Sequence, residues 1–348
     1  MNVGGNSWQA PAMKIDAYMV DDITAAARQA KEAEATGYAG IFTPEARHDG
    51  FLPLVAAAGE TETIELGTSV AIAFARTPMT LAHLGHDMQL LSGGRFVLGL
   101  GSQIRPHIER RYSMPWSHPA ARMREMVEAL RAIWRCWNEG EPLDFQGDFY
   151  THTLMPPTFV PPTNPHGPPR VWVAGVGRRM VEVAGAVGDG LICHPLVSAR
   201  YLREALVPHL HDGARAAGRD PEDLEVAAMS MVATGTTEEE MAAAMDATRV
   251  QIAFYASTPA YRPVLEMHGW GDLQPEMRQM TKEGRWTEMG TAIEDEMLRT
   301  LAIVAEPDAV GPALEERFGG IADRVGISAV APGVRSVLAS VVPRLAGG

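Results

Sequence analysis

Cysteine is scarce: Cys136 and Cys193 are the only two among 348 residues, too few for a disulfide scaffold and in no zinc-like spacing. A reducing cytoplasm is therefore the expected compartment. Long apolar runs are missing too, since no stretch approaches the roughly 18 uninterrupted apolar residues of a membrane span. The first twelve residues have neither the basic start nor the apolar centre of a signal peptide, and 1–12 reads as a flexible leader with the fold starting at Met13. Positive charge is in deficit: 30 Lys and Arg against 43 Asp and Glu leave a formal net charge of −13. Such a surface repels phosphate backbones and anionic lipid, which excludes nucleic acid and membrane as general partners and leaves small molecules. A complete dinucleotide fingerprint is also absent. GLGSQI at 99–104 and GVGRRM at 175–180 each lack the third glycine, and neither opens the first βα unit.

What is present is an ordinary globular composition, 46% hydrophobic and 21% charged. Short β-branched or apolar runs alternate with longer amphipathic ones, the pattern of βα units around a parallel sheet. Eight units can be placed, with strands at 14–19, 39–43, 64–73, 95–100, 170–174, 189–193, 224–234 and 321–327. Helices are expected at 21–36, 51–63, 79–91, 119–138, 178–187, 200–217, 308–318 and 334–345. The fold class is α/β, a (β/α)8 TIM barrel forming one domain over 13–348, with an open doubly wound sheet as the competing architecture. Two insertions interrupt the alternation. The first, about 139–169 after helix four, is rich in Pro, Gly and aromatics; the second, about 238–301 after strand seven, is largely helical and would sit over the barrel mouth as a lid.

Four constellations fall at strand ends, where barrel chemistry concentrates. In AGVGRRMVEVAG (174–185) a strand ends in glycines and a helix starts at once, so its free backbone N–H groups suit a phosphate, with Arg178 and Arg179 adding charge; a plain tight turn fits equally well. In ELGTSVAIAFARTP (65–78) small residues leave room for a flat ring against the backbone, or simply build an ordinary barrel strand. LGLGSQIRPHIERRY (98–112) places Ser102, Gln103, Arg105 and His107 after strand four, where the charged run also reads as a solvated face. FTPEARHDG (42–50) places Glu45, His48 and Asp49 after strand two, where a carboxylate in an apolar mouth is able to relay a proton but loop carboxylates are usually only solvated. His83 and His86 lack the spacing and third ligand of a zinc helix, and no metal is expected. His194 follows strand six and points to the mouth, or caps the next turn.

Taken in order, GTSVAIAFARTP, LSGGRFVLGLGSQ and RVWVAGVGRRMVEVAGAVGDGLI resemble the luciferase-like flavin-dependent oxidoreductases, especially the branch that uses the deazaflavin coenzyme F420. The resemblance runs from Met13 to about Ser328. It implies a cofactor ring over a strand-three bulge with a cis peptide at Ser69-Val70, followed by Ala71, and a cofactor phosphate on Gly175, Val176, Gly177 and Arg178, with Arg179 beside it. It further implies that Ser102, Gln103 and His107 border the ring and its ribityl chain, that Glu45 supplies a polar or acid-base group, and that His194 lies on the substrate side. The sequence departs from the branch where Pro44-Glu45 and Ile104 stand in place of its Asp-His pair and Glu. Three candidates for the general acid follow, in the order Glu45, His107, His194. The implied reaction is hydride transfer between F420 and a small alcohol, carbonyl or activated alkene, in a homodimer. The alternatives are an FMN-dependent monooxygenase served by a separate flavin reductase, and a cofactor-binding barrel without catalysis.

Overall fold

The computed structural model describes residues 13–19 and 22–329, together with Val334 and Val342. The leader 1–12 and the expected closing helix 334–345 therefore lie outside the described residues, apart from those two valines, which are buried. Eight parallel strands close into a barrel. They are β1 (Lys14–Tyr18), β2 (Gly40–Thr43), β3 (Glu65–Thr68, resuming at Ala71–Ile72), β4 (Phe96–Gly101), β5 (Arg170–Ala174), β6 (Gly190–Ile192), β7 (Glu225–Ala233) and β8 (Arg324–Ala329). Each pairs with the next, and β8 returns to β1 through the register Lys14↔Arg324 and Ile15↔Val325, which rules out the open sheet. A short strand, Ala302–Val304, adds to the far end of β7.

Local chemistry accounts for the element ends. Helix Ala26–Thr36 stops at Gly37, whose φ of 92° is a left-handed conformation that glycine adopts without steric cost. Helix Pro78–Leu91 starts where the Thr77 hydroxyl accepts the Thr80 N–H at 3.2 Å. Helix Glu238–Ala256 is capped by Thr237 in the same way, with Glu240 reaching back to the Thr236 N–H. Among the described residues no helix is long and apolar enough to cross a membrane.

Inside the barrel the side chains form layers. Phe42, Val97, Trp172, Ile192 and Ala227 fill the middle, with Tyr18, Val70 and Ala174 packed above them. Phe42 and Trp172 stack with ring centres 5.6 Å apart. Bulk on one strand is matched by its absence on another: a Cβ at Gly67 would lie 2.5 Å from the Phe42 ring, and one at Gly326 2.5 Å from Tyr18. Below them the floor is charged. Arg324, wholly buried, grips Asp16 with two bonds of 2.6 Å and also meets Glu65 and Glu225.

Three differences from the sequence reading matter. The strand pattern predicts a continuous third strand, 64–73; the strand instead breaks at a cis Ser69-Val70 peptide, as the resemblance implies, and the Val70 carbonyl accepts from the Glu45 N–H rather than joining the β4 ladder. A helical turn, Arg105–Arg110, follows β4 where only a loop is expected. The first insertion contains a two-residue hairpin, Phe145–Gln146 with Thr151–His152, held by the buried Glu125 carboxylate, which accepts from the backbone N–H groups of Asp148, Phe149 and Tyr150.

The start of β3 depends on one carboxylate. Glu34 accepts the N–H groups of Glu62, Thr63 and Ile64 and the Thr63 hydroxyl. Partial burial pushes this carboxyl up, but the four donors outweigh it and hold it at about 2. A bonded carboxylate of this kind stabilises the fold above the unfolded value of about 4.3, and the contribution is lost as pH falls between about 4 and 2. Glu34→Gln is expected to cost about 1–2 kcal/mol at pH 7. Urea unfolding at pH 7 and pH 3 tests this: the gap to the parent should narrow in acid, and a gap independent of pH would contradict it.

Candidate active site

The C-terminal ends of β1 to β6 form one face, and the expected site residues gather there. Ser69 and Val70 make the bulge of β3. The Ser69 and Tyr18 hydroxyls lie 3.1 Å apart, and Val70 lies against Gly101, where a Cβ would come within 2.5 Å of its Cγ2. Ala71 returns to the ladder opposite Leu100 and is fully buried, so it supports the bulge from below.

Glu45 clamps this bulge. Its Oε2 accepts the Ile72 N–H at 2.7 Å and the Arg76 Nη1 at 2.6 Å, while the other arm of Arg76 bonds Asp49 at 2.7 Å. With one carboxylate oxygen held by both a guanidinium and a backbone donor, Glu45 is fixed in place, a geometry that suits a positioning residue better than a proton donor. Asp49 caps the next helix through the Phe51 N–H. His48 and Asp49 line a shallow cleft with Met19, Thr43 and Pro44.

After β4, Ser102 and Gln103 are half-buried, and Gln103 has a φ of 59°. The Ser102 hydroxyl donates to the Gln103 carbonyl, and the Gln103 side-chain oxygen accepts the Ile104 N–H. His107 is exposed on the Arg105–Arg110 turn and makes no side-chain hydrogen bond among the described residues. His83 and His86 lie away from this face, their rings packed on Trp137.

The loop after β5 matches its expectation in form. Gly177 is extended (φ −94°, ψ 151°) and helix Arg178–Val187 begins with no side-chain cap. The first bonds of this turn come from Met180 and Val181, both to the Gly177 carbonyl, so the N–H groups of Val176, Gly177, Arg178 and Arg179 have no backbone acceptor among the described residues. Four consecutive free donors at a helix start form a cradle of the kind that suits an anion. Nothing lies within 4 Å of the place a Gly177 Cβ would take, so the cradle is open, whereas a Cβ at Gly175 would strike Val181. The Tyr201 hydroxyl holds the loop from behind by donating to the Val176 carbonyl. Arg178 is partly spent on Glu182, four residues on, and Arg179 is exposed.

His194 follows β6 at the mouth. Its Nδ1 accepts the Leu196 N–H at 3.0 Å, which fixes the proton on Nε2, and burial lowers its pKa to about 3. It is thus a neutral N–H donor at any ordinary pH. The ring stacks on Tyr261 with centres 4.0 Å apart and meets Tyr255 edge-on at 4.5 Å. Both tyrosines come from the helical insertion after β7, so this segment does cover the mouth. Sequence reasoning missed them, as it missed Tyr18, Arg76 and Tyr201. Among the described residues no three His, Cys, Asp or Glu side chains group as metal ligands.

Comparison with known proteins agrees with this geometry. The family model described as Luciferase-like monooxygenase matches residues 3–324. An uncharacterized protein of Mycobacterium tuberculosis is 53% identical over 313 residues, covering 90% of this chain and 92% of its own. A putative coenzyme F420-dependent oxidoreductase of the same organism is 27% identical over 296 residues, covering 80% and 83%. Among solved structures, the coenzyme F420 dependent tetrahydromethanopterin reductase of Methanopyrus kandleri superposes with a TM-score of 0.79 at 20% identity, over 97% of this chain and 98% of that one. A closed parallel barrel, a broken third strand and a family match over nearly its whole length place this chain in the luciferase-like monooxygenase family of oxidoreductases.

Proposed function

We propose that this protein is an F420-dependent oxidoreductase that moves a hydride between the deazaflavin and a small carbonyl, alcohol or activated alkene. The observation that carries this reading is the uncapped helix start after β5, where four free N–H groups and an open glycine fit a cofactor phosphate. The F420-dependent name of one relative in the same family favours the deazaflavin over FMN.

The residues divide the work. Val176, Gly177, Arg178 and Arg179 would hold the phosphate; Ser69 and Val70, with Ser102 and Gln103, would border the ring. When bound, the deazaflavin supplies a hydride donor or acceptor and reacts poorly with oxygen, so the protein has only to orient the partners and exclude water. Glu45 and Arg76 keep the bulge in place by clamping the Ile72 N–H. Of the three acid-base candidates, His194 moves to first rank, because its Nε2 carries a proton beside the Tyr255 and Tyr261 rings. His107 ranks next and Glu45 last.

Titration of the purified protein with coenzyme F420 and separately with FMN, followed by fluorescence, tests the reading. Saturable binding of F420 well ahead of FMN is expected. Tight FMN binding with no F420 binding would replace the proposal by the monooxygenase reading.

A further inference from the structure

The aromatic lining of the mouth does not end at His194. Tyr255 meets Phe254 at 5.8 Å, and Phe254 meets Trp286 at 6.1 Å. Phe254 and Trp286 are each 46% exposed, whereas His194, Tyr255 and Tyr261 are half-buried. A continuous aromatic track therefore runs from the outer surface of the insertion to the imidazole. Neighbouring positions on helix Glu238–Ala256 point about 100° apart, so one helix supplies both Tyr255, turned to His194, and Phe254, turned to Trp286.

At its inner end the track carries three polar groups, the His194 Nε2 and the Tyr255 and Tyr261 hydroxyls. The Nε2 of His194 makes no hydrogen bond among the described residues and is not one of their buried unpaired atoms. Among the described residues no charged group contributes to the shift of this histidine; burial lowers it. Burial likewise pushes the Tyr261 hydroxyl up to about 12, with only Tyr255 adding to it. A wall made of an imidazole and two phenol rings carries no full charge to pair with an anionic or zwitterionic substrate, whose charge would be left desolvated there.

Resting on the hydride-transfer reading above, we propose that the substrate is an uncharged carbonyl compound with an extended apolar arm. Its oxygen accepts a hydrogen bond from His194 Nε2, its body lies against Tyr255 and Tyr261, and its arm runs out along Phe254 and Trp286. In this role His194 Nε2 polarises the carbonyl; once the hydride has added to carbon the alkoxide takes that proton, and the imidazole regains one from water. Phe254 and Trp286 set the preferred chain length without touching the reacting atoms.

The test is binding, so it does not depend on which cofactor is correct. A series of 2-alkanones from four to twelve carbons is titrated calorimetrically into the full-length protein, with and without F420. Affinity is expected to rise about three- to fourfold per added methylene and then to level off as the chain reaches the surface. Phe254→Ala and Trp286→Ala should flatten the series for long chains and leave the shortest ketones unchanged. His194→Phe, which keeps the stacking, should weaken every ketone about tenfold and leave length-matched alkanes unaffected. No length dependence in the parent, or equal loss of ketone and alkane in His194→Phe, would overturn the proposal. Failure of F420 to bind while the ketone series behaves as described would overturn the cofactor reading instead.

Discussion

Arg324→Ala is expected to destabilise the protein by about 3–5 kcal/mol, the scale for removing one partner of a buried ion pair. The cost has a specific source. Asp16 lies at the bottom of the barrel, 3% exposed, and both of its oxygens are bonded to Arg324. Without the guanidinium it becomes a buried carboxylate with no cation. Glu65 and Glu225 fare better, because Arg170 bridges them with bonds of 2.6 and 2.7 Å and Lys14 also reaches Glu225. The Arg324 side chain additionally lies over Phe42 and Trp172, at 5.3 and 4.9 Å, so alanine removes packing from the aromatic layer above as well.

A double-mutant cycle with Asp16→Ala separates these contributions in urea unfolding. If the stranded carboxylate dominates, the double variant should be more stable than Arg324→Ala alone; losses that simply add would mean that packing dominates. Acid should act on the same network. Burial pushes the Glu65 carboxyl up, but Arg324 and Arg170 hold it below the usual range, so its contribution is present at neutral pH and lost as pH falls through that lowered value.

How much of this was legible in the sequence depended on the range of the interaction. The expected fifth strand, 170–174, and the helix at 178–187 coincide with the observed Arg170–Ala174 and Arg178–Val187, because RVWVA is a β-branched run and Gly175, Gly177 and Gly188 punctuate both ends. The break in β3 was visible only through resemblance. The contacts that hold it, the Glu45 N–H on the Val70 carbonyl and the Glu45 carboxylate on the Ile72 N–H, come from another strand end and leave no trace in the period of ELGTSVAIA. Glu45 read as an acid because its neutralising partner, Arg76, stands 31 residues later, beyond any local pattern. Tyr255 and Tyr261 read as ordinary aromatics of a helical insertion, since their contact with His194 spans some sixty residues and depends on how the insertion folds back.

The cradle after β5 permits a prediction with two opposite signs. Gly177 is the residue before the first turn of its helix, its extended backbone suits any L-residue, and its Cβ would enter open space. Aspartate is a preferred residue at such a position, because its carboxylate accepts the N–H groups of the first turn. Gly177→Asp is therefore expected to stabilise the fold by about 0.5 kcal/mol, from the new cap and the reduced freedom of the unfolded chain. The same carboxylate occupies the donors that a phosphate would use and repels it, so cofactor affinity should fall on the order of 100-fold. Gly177→Ala adds only a methyl group and should bind within a few-fold of the parent. Thermal unfolding and a cofactor titration of the three proteins read both signs at once. An aspartate variant that gains stability and still binds cofactor normally would move the phosphate away from this helix, and with it the strongest structural support for the proposed reaction.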